Sequence, residues 1–180
     1  MHAPLHRPRS LAALLAVAVS LTFAPALAPP AAAAPRHPAA AAAPKELGAF
    51  GAWIAATHGL GHDKLCYAFT RANGQDAATG TGPVLSITDR ATGRDQVAVS
   101  GGPLYPKGAG VMMEVGQTAL DFYTSGHDAF ARDGHATAAA FERGASAVLH
   151  PPGKGAHPLT FSLTGFTAAH AAIAKACPAR

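Results

Sequence analysis

From residue 45 onward the chain is built of short apolar–polar runs separated by turn residues. Phe50 to Thr57 (FGAWIAAT) and Lys64 to Thr70 (KLCYAFT) are β-prone, and the intervening HGLGHD segment, His58 to Asp63, predicts a hairpin between them. Alternation along the second run puts Leu65, Tyr67 and Phe69 on one face and Cys66 and Ala68 on the other. A glycine-rich polar loop, Arg71 to Pro83, leads into two further strands, Val84 to Thr88 and Gln96 to Ser100, across the charged turn Asp89 to Asp95. The connector Gly101 to Gly110 (GGPLYPKGAG) precedes another hairpin, Val111 to Val115 and Thr118 to Thr124, about Gly116 and Gln117. A short helix is expected from Asp133–His135 to Arg143, with Gly144 as a left-handed stop. Ser146 to Leu149 and Leu159 to Leu163 complete the strands. So many short strands at close spacing argue for a β-sandwich or barrel.

The last segment reads as a helix, Phe166 to Cys177. Phe166, His170, Ile173, Ala174 and Cys177 share one face, which should dock on the sheet. That face turns Cys177 inward, and the only other cysteine, Cys66, lies on the second strand. A bridge between them is expected to fasten the terminal helix to the sheet. The rival reading, a redox pair, lacks a CxxC spacing.

Upstream the pattern changes. Arg7 and Arg9 precede an apolar run from Leu11 to Ala28 and then small residues, the layout of a secretory signal. Pro25 interrupts the run, which argues against a membrane anchor. Cleavage after Ala33, with Ala31 at −3, divides the chain into a signal (1–33), an Ala/Pro-rich tether (34–44) and one domain (45–180). Without a cysteine after the apolar run, no lipid anchor is expected. The mature chain then has no transmembrane segment and works in the periplasm or beyond the cell.

Composition narrows the function classes. The net charge of +4 belongs mostly to the leader: with Arg7, Arg9 and Arg36 upstream, residues 45–180 hold 11 basic and 10 acidic groups. A nearly neutral domain gives nucleic-acid binding little electrostatic support. Seven histidines, at 58, 62, 127, 135, 150, 157 and 170, would make the domain more cationic in mild acid.

The order FGAW, KLCYAF, TDRATGRDQVAV, GGPLYPKGAGVMMEV, LDFYTSGHDAFARD and TFSLTGFTAAHAAIAKAC resembles the invasion-associated locus B family, from about Phe50 to Cys177. The resemblance implies an exported bacterial protein with an immunoglobulin-like β-sandwich and a terminal helix, linked in some pathogens to host-cell invasion. It brings no catalytic residues. Members often carry a cysteine at about Thr57 here, so a second bridge is not available to this chain.

Candidate chemistry is sparse. His58 and His62, with Asp63, have a ligand-like spacing, but Gly59 and Gly61 make the turn flexible, and solvated histidines are the stronger expectation. Ser125, His127 and Asp128 supply triad residue types from adjacent positions that cannot converge. Asp121, Asp128 and Asp133 match no calcium loop, and the glycine-rich stretches lack the ending of a phosphate loop. Tyr105, between Pro103 and Pro106, and Lys107 in the following turn are the candidate partner contacts. The expectation is an exported, non-enzymatic protein without a cofactor that binds a protein or envelope component. A periplasmic metal binder using the histidine-rich loops is the alternative, ahead of an envelope hydrolase.

Overall fold

The computed structural model describes residues 43–74 and 81–179, all within the unit Pro38–Arg180. The expected signal, most of the tether and the middle of the Arg71–Pro83 loop lie outside the described residues. Ten strands and two helices follow in the order β1 (Lys45–Phe50), β2 (Trp53–His58), β3 (Leu65–Arg71), β4 (Val84–Arg90), β5 (Gly93–Ser100), β6 (Gly110–Val115), β7 (Thr118–Ser125), β8 (Asp128–Ala131), α1 (Gly134–Arg143), β9 (Ser146–His150), β10 (Leu159–Ser162) and α2 (Phe166–Ala176).

The strands pair antiparallel in one sheet, ordered β1-β2-β3-β4-β5-β8-β7-β6-β9-β10. Inward residues alternate along it: Leu85 and Ile87 on β4, Val97 and Val99 on β5, Val111, Met113 and Val115 on β6, Leu120 and Phe122 on β7. Period-two alternation demands one buried face per strand, and all of these residues join one core. The end of the sheet returns to its beginning, because Ala72 bridges Phe161 and the Trp53 indole donates to the Ser162 carbonyl at 3.0 Å. The architecture is mainly β and sandwich-like, as expected, with the two helices lying against the same core.

β1 and β8 escaped the sequence pattern. A register shift between Glu46 and Gly48 breaks the alternation of β1, and β8 has only four residues. The Asp133 carboxylate caps α1 by accepting from the Ala136 amide at 2.9 Å. Gly144 ends that helix in extended rather than left-handed backbone, φ −101°, which corrects the expected stop. Glycine is needed there for space, since a β-carbon would overlap the Val115 side chain.

Helix α2 starts after Gly165, at φ 91°, where a β-carbon would overlap the Phe50 carbonyl oxygen. Phe166 then packs edge-on against both Trp53 and Phe141, with ring centroids 5.0 and 5.2 Å away. One aromatic cluster therefore ties β2, α1 and α2. The expected inward face is partly right. Phe166 and Ile173 are buried, with Ala169 beside them, whereas His170, Ala174 and Cys177 are half-buried along its flank.

Cys66 and Cys177 are bonded, Cα atoms 6.0 Å apart, with Cys177 as the residue that ends α2. Beside the bridge Asp89, wholly buried, faces Cys66 across the β3–β4 ladder. Its Oδ2 pairs with the Arg94 guanidinium at 2.6 Å, and Arg94 also donates to the Cys177 carbonyl at 2.6 Å. Lys64 donates to the Ala176 carbonyl at 2.8 Å. Two cations thus meet the free carbonyls and the negative dipole end of α2.

Arg94→Met strands a fully buried carboxylate and is expected to cost about 3–5 kcal/mol in urea unfolding, most of it regained in the Asp89→Leu/Arg94→Met double variant. A single variant with unchanged stability would remove the pair from the account of the fold. Replacing both cysteines by alanine, at a separation of 111 residues, is expected to cost about 4–5 kcal/mol on loop entropy.

Candidate functional site

The β4–β5 hairpin carries the irregularity on which the site is built. Thr88 pairs with Gln96 and Arg90 with Gly93, so Asp89 alone faces both Arg94 and Asp95. This is a bulge, and Asp95 takes the left-handed conformation, φ 52°, that lets two successive side chains turn to the same helix. Arg94 reaches the end of α2. Asp95 reaches its middle: Oδ1 lies 2.9 Å from Nε2 of His170, and Oδ2 lies 3.0 Å from Nδ1 of His135 on α1. The other nitrogen of His170, Nδ1, lies 3.3 Å from Glu142 of α1. Its ring stacks on Phe166, centroids 5.4 Å apart.

Burial pushes the Asp95 carboxyl up, but hydrogen bonds from His135 and His170, with the charges of both rings, outweigh it and hold the group below its ordinary 3.8. His135 is raised above 6.5, first by its hydrogen bond to Asp95 and then by the charges of Asp95, Asp133 and Glu142.

Beside the bulge opens a cavity of about 450 Å³. It exists because β5 pairs with β8 only at Ala98 and Val99, while the chain after β8 turns away into α1. Arg90, Arg94, Asp95 and Gln96 line it together with Tyr123 and Phe130. The two rings stack with centroids 5.3 Å apart, and the exposed Arg132 lies over Tyr123 at 5.7 Å. Arg94 is paired with Asp89 and Asp95 is itself an acid, so Arg90 and Arg132 are the cations beside the rings that can meet an anionic or carboxylate-bearing group.

The residues singled out in the sequence lie elsewhere. Tyr105 is buried, 5% exposed, which corrects its expected outward presentation. Its amide donates to the Gly126 carbonyl at 2.9 Å, and Gly102 and His127 exchange contacts of 3.0 Å, so the connector is pinned to the β7–β8 turn. Lys107 is exposed on the expected turn, closed by the Ala109 amide donating to Pro106 at 3.0 Å. His58 is half-buried at the end of β2 and its Nδ1 has no partner among the described residues, while His62 is exposed on a short 3-10 turn, Gly61–Asp63. The grouping of potential ligands found among the described residues is Asp89, Asp95 and His170, not the His58/His62 loop. Ser125 and Asp128 flank their turn as cross-strand partners, and His127 is spent on the Gly102 carbonyl.

The signal for the missed residues was available. Stepping by two from Leu85 and Ile87 reaches Asp89, and stepping back from Val99 and Val97 reaches Asp95. Both strands therefore aim an acid at the core side, where a helix carrying His170 was already expected to dock.

The buried Tyr105 hydroxyl has no partner among the described residues. Burial first, and then the Asp128 charge, raise its pKa above 10. A raised pKa means that its share of stability is complete below pH 10 and is lost as pH climbs through the folded value. Tyr105→Phe, which removes an unsatisfied buried group, is expected to be neutral or to stabilise by about 1 kcal/mol and to flatten the alkaline loss above pH 10. Urea unfolding at neutral and alkaline pH checks both; a loss of several kcal/mol would mean that the hydroxyl has a partner in solution.

No protein-family model matches the chain, and no curated protein matches it. Among solved structures, the crystal structure of invasion associated protein B from Bartonella henselae matches over 72% of this chain and 96% of that one, at 18% identity and a TM-score of 0.49.

Proposed function

We propose that this chain is an exported domain that works by binding a protein or envelope component, not by catalysis, and that the cavity beside the β4–β5 bulge is its contact site. The observation that carries the reading is the cavity wall itself: Arg90 lines the same open notch as the stacked Tyr123–Phe130 pair, and Arg132 lies over the Tyr123 ring. Fixed cations beside a rigid aromatic surface form a recognition surface, with aromatic and arginine anchors that bind strongly for their size. The partner that fits is an acidic segment carrying an apolar or aromatic side chain.

Export is supported by the leader pattern and by the bridge, since disulfides persist in oxidising compartments. The sequence resemblance points the same way, to exported bacterial envelope proteins. Against a hydrolase stands the geometry of Ser125, His127 and Asp128, which sit around one turn instead of converging from separate elements.

A photo-crosslinking residue placed at Gln96, on the cavity rim, is expected to capture a discrete partner in the native envelope. The same residue at Lys154, exposed in the β9–β10 loop, is expected not to. Adding Arg90→Ala and Tyr123→Ala should abolish the Gln96 adduct. Equal capture from both positions, or none from Gln96, would refute the cavity as the contact site.

A further inference from the structure

We propose that Asp95, His170 and His135 form a binding site for a divalent transition-metal cation, with Glu142 holding His170 from behind. The site lies between β5, α1 and α2 and adjoins the cavity proposed as the partner contact, Asp95 being common to both.

The first argument is the hydrogen-bond inventory of His170. Both ring nitrogens face carboxylates, Nε2 towards Asp95 at 2.9 Å and Nδ1 towards Glu142 at 3.3 Å. A neutral imidazole has one N–H, so it can satisfy only one of these contacts and must turn a lone pair on the other anion. A metal ion at Nε2 resolves the conflict. Nδ1–H then donates to Glu142, which is the carboxylate–histidine–metal arrangement that fixes a ligand's tautomer.

The second argument is spacing. Ligands about 2.0–2.1 Å from a tetrahedral zinc lie roughly 3.3 Å from one another. Asp95 already has one nitrogen at 2.9 Å and the other at 3.0 Å, on separate oxygens; the tight grouping of possible donors holds Asp95 and His170 but not His135, so His135 must move to complete the set. His170 is held, its side chain 17% exposed, whereas the His135 side chain is 89% exposed in the first turn of α1 and can swing to close the set.

Charge is the third. Asp95, Asp133 and Glu142 all act on His135, and Asp95 and Glu142 also lie within 3.3 Å of the His170 ring nitrogens. Asp89 is close enough to count among the possible ligands, but its oxygens are committed to Arg94 and to the Asp95 amide at 2.9 Å. It holds the bulge in place and is not a ligand. Imidazole and carboxylate donors suit zinc, copper or nickel better than calcium or magnesium.

The test is zinc titration of the oxidised, untagged, chelator-treated protein at neutral pH, followed by calorimetry, thermal unfolding and histidine NMR. The proposal expects one saturable zinc per chain, a higher melting temperature and perturbed His135 and His170 ring signals. Glu142→Gln should weaken binding about 10–100-fold. His135→Gln, at an exposed position, should weaken it at least tenfold in protein that still unfolds cooperatively, which keeps the test valid if His170→Gln fails to fold. His58→Ala/His62→Ala should leave binding unchanged. No saturable zinc, binding lost only in the His58/His62 variant, or unmoved His135 and His170 signals would each overturn the site.

Discussion

The fold depends on a buried charge that must be neutralised where three elements meet. Asp89 is inward by the pleat of β4, in phase with Leu85 and Ile87, so regular alternation leaves its carboxylate no access to water. An isolated buried carboxylate costs several kcal/mol, more than a domain of this size can tolerate repeatedly. The bulge in β5 supplies the answer by setting Arg94 and Asp95 together opposite Asp89. Arg94 neutralises the acid and, with its remaining donors, takes the last carbonyl of the terminal helix. The same contact thus satisfies a strand and a helix end. The Cys66–Cys177 bond adds a covalent stop beside it, and Lys64 takes the neighbouring carbonyl.

From that fixed end the rest of α2 follows. Its other end is set by Gly165, pressed on the Phe50 carbonyl, and by Phe166 between Trp53 and Phe141. A helix held at both ends has little freedom to rotate, and so His170, midway along, is delivered to Asp95 and Glu142. The bulge that neutralises Asp89 also turns Asp95 towards His170. The structural clasp and the histidine–carboxylate cluster are therefore consequences of one local irregularity, not independent features.

Much of this was legible in the chain, and the limits have physical causes. Runs with clean period-two alternation, such as VLSIT, VMMEV and KLCYAFT, fixed strands, hairpins and the inward direction of Cys66, because burial on one face leaves a mark at every second residue. The bridge was legible for the same reason. β1 was not, because Gly48 shifts its register, and β8 is too short to show a period. Tyr105 was misjudged because prolines on both sides report backbone stiffness and not direction. What turns the ring inward is the pairing of the connector with Gly126 and His127, a contact between segments that no local pattern records. The site suffered most. Asp89 to Asp95 read as a charged turn, whereas the turn itself is only Ala91 and Thr92, and the flanking charges belong to strands.

The sequence places its most conspicuous chemistry at His58, His62 and the SGHD turn. Proximity along the chain suggests a cluster cheaply, but side chains on one turn share a backbone and rarely converge on a point. Convergence needs elements that arrive from different directions, and here they are the bulged β5, the two turns of α1 that separate His135 from Glu142, and the centre of α2. Those residues are 75 positions apart in the widest pair, Asp95 and His170, so only the packed fold could bring them within 2.9 Å. A bulge that offsets one buried charge leaves a second carboxylate facing two imidazoles, and the short β5–β8 ladder beside it leaves a notch where Arg90 lies near the exposed Tyr123 and the half-buried Phe130. Both candidate contacts of this protein, the metal-type cluster and the cationic cavity, lie at the same break in an otherwise regular sheet.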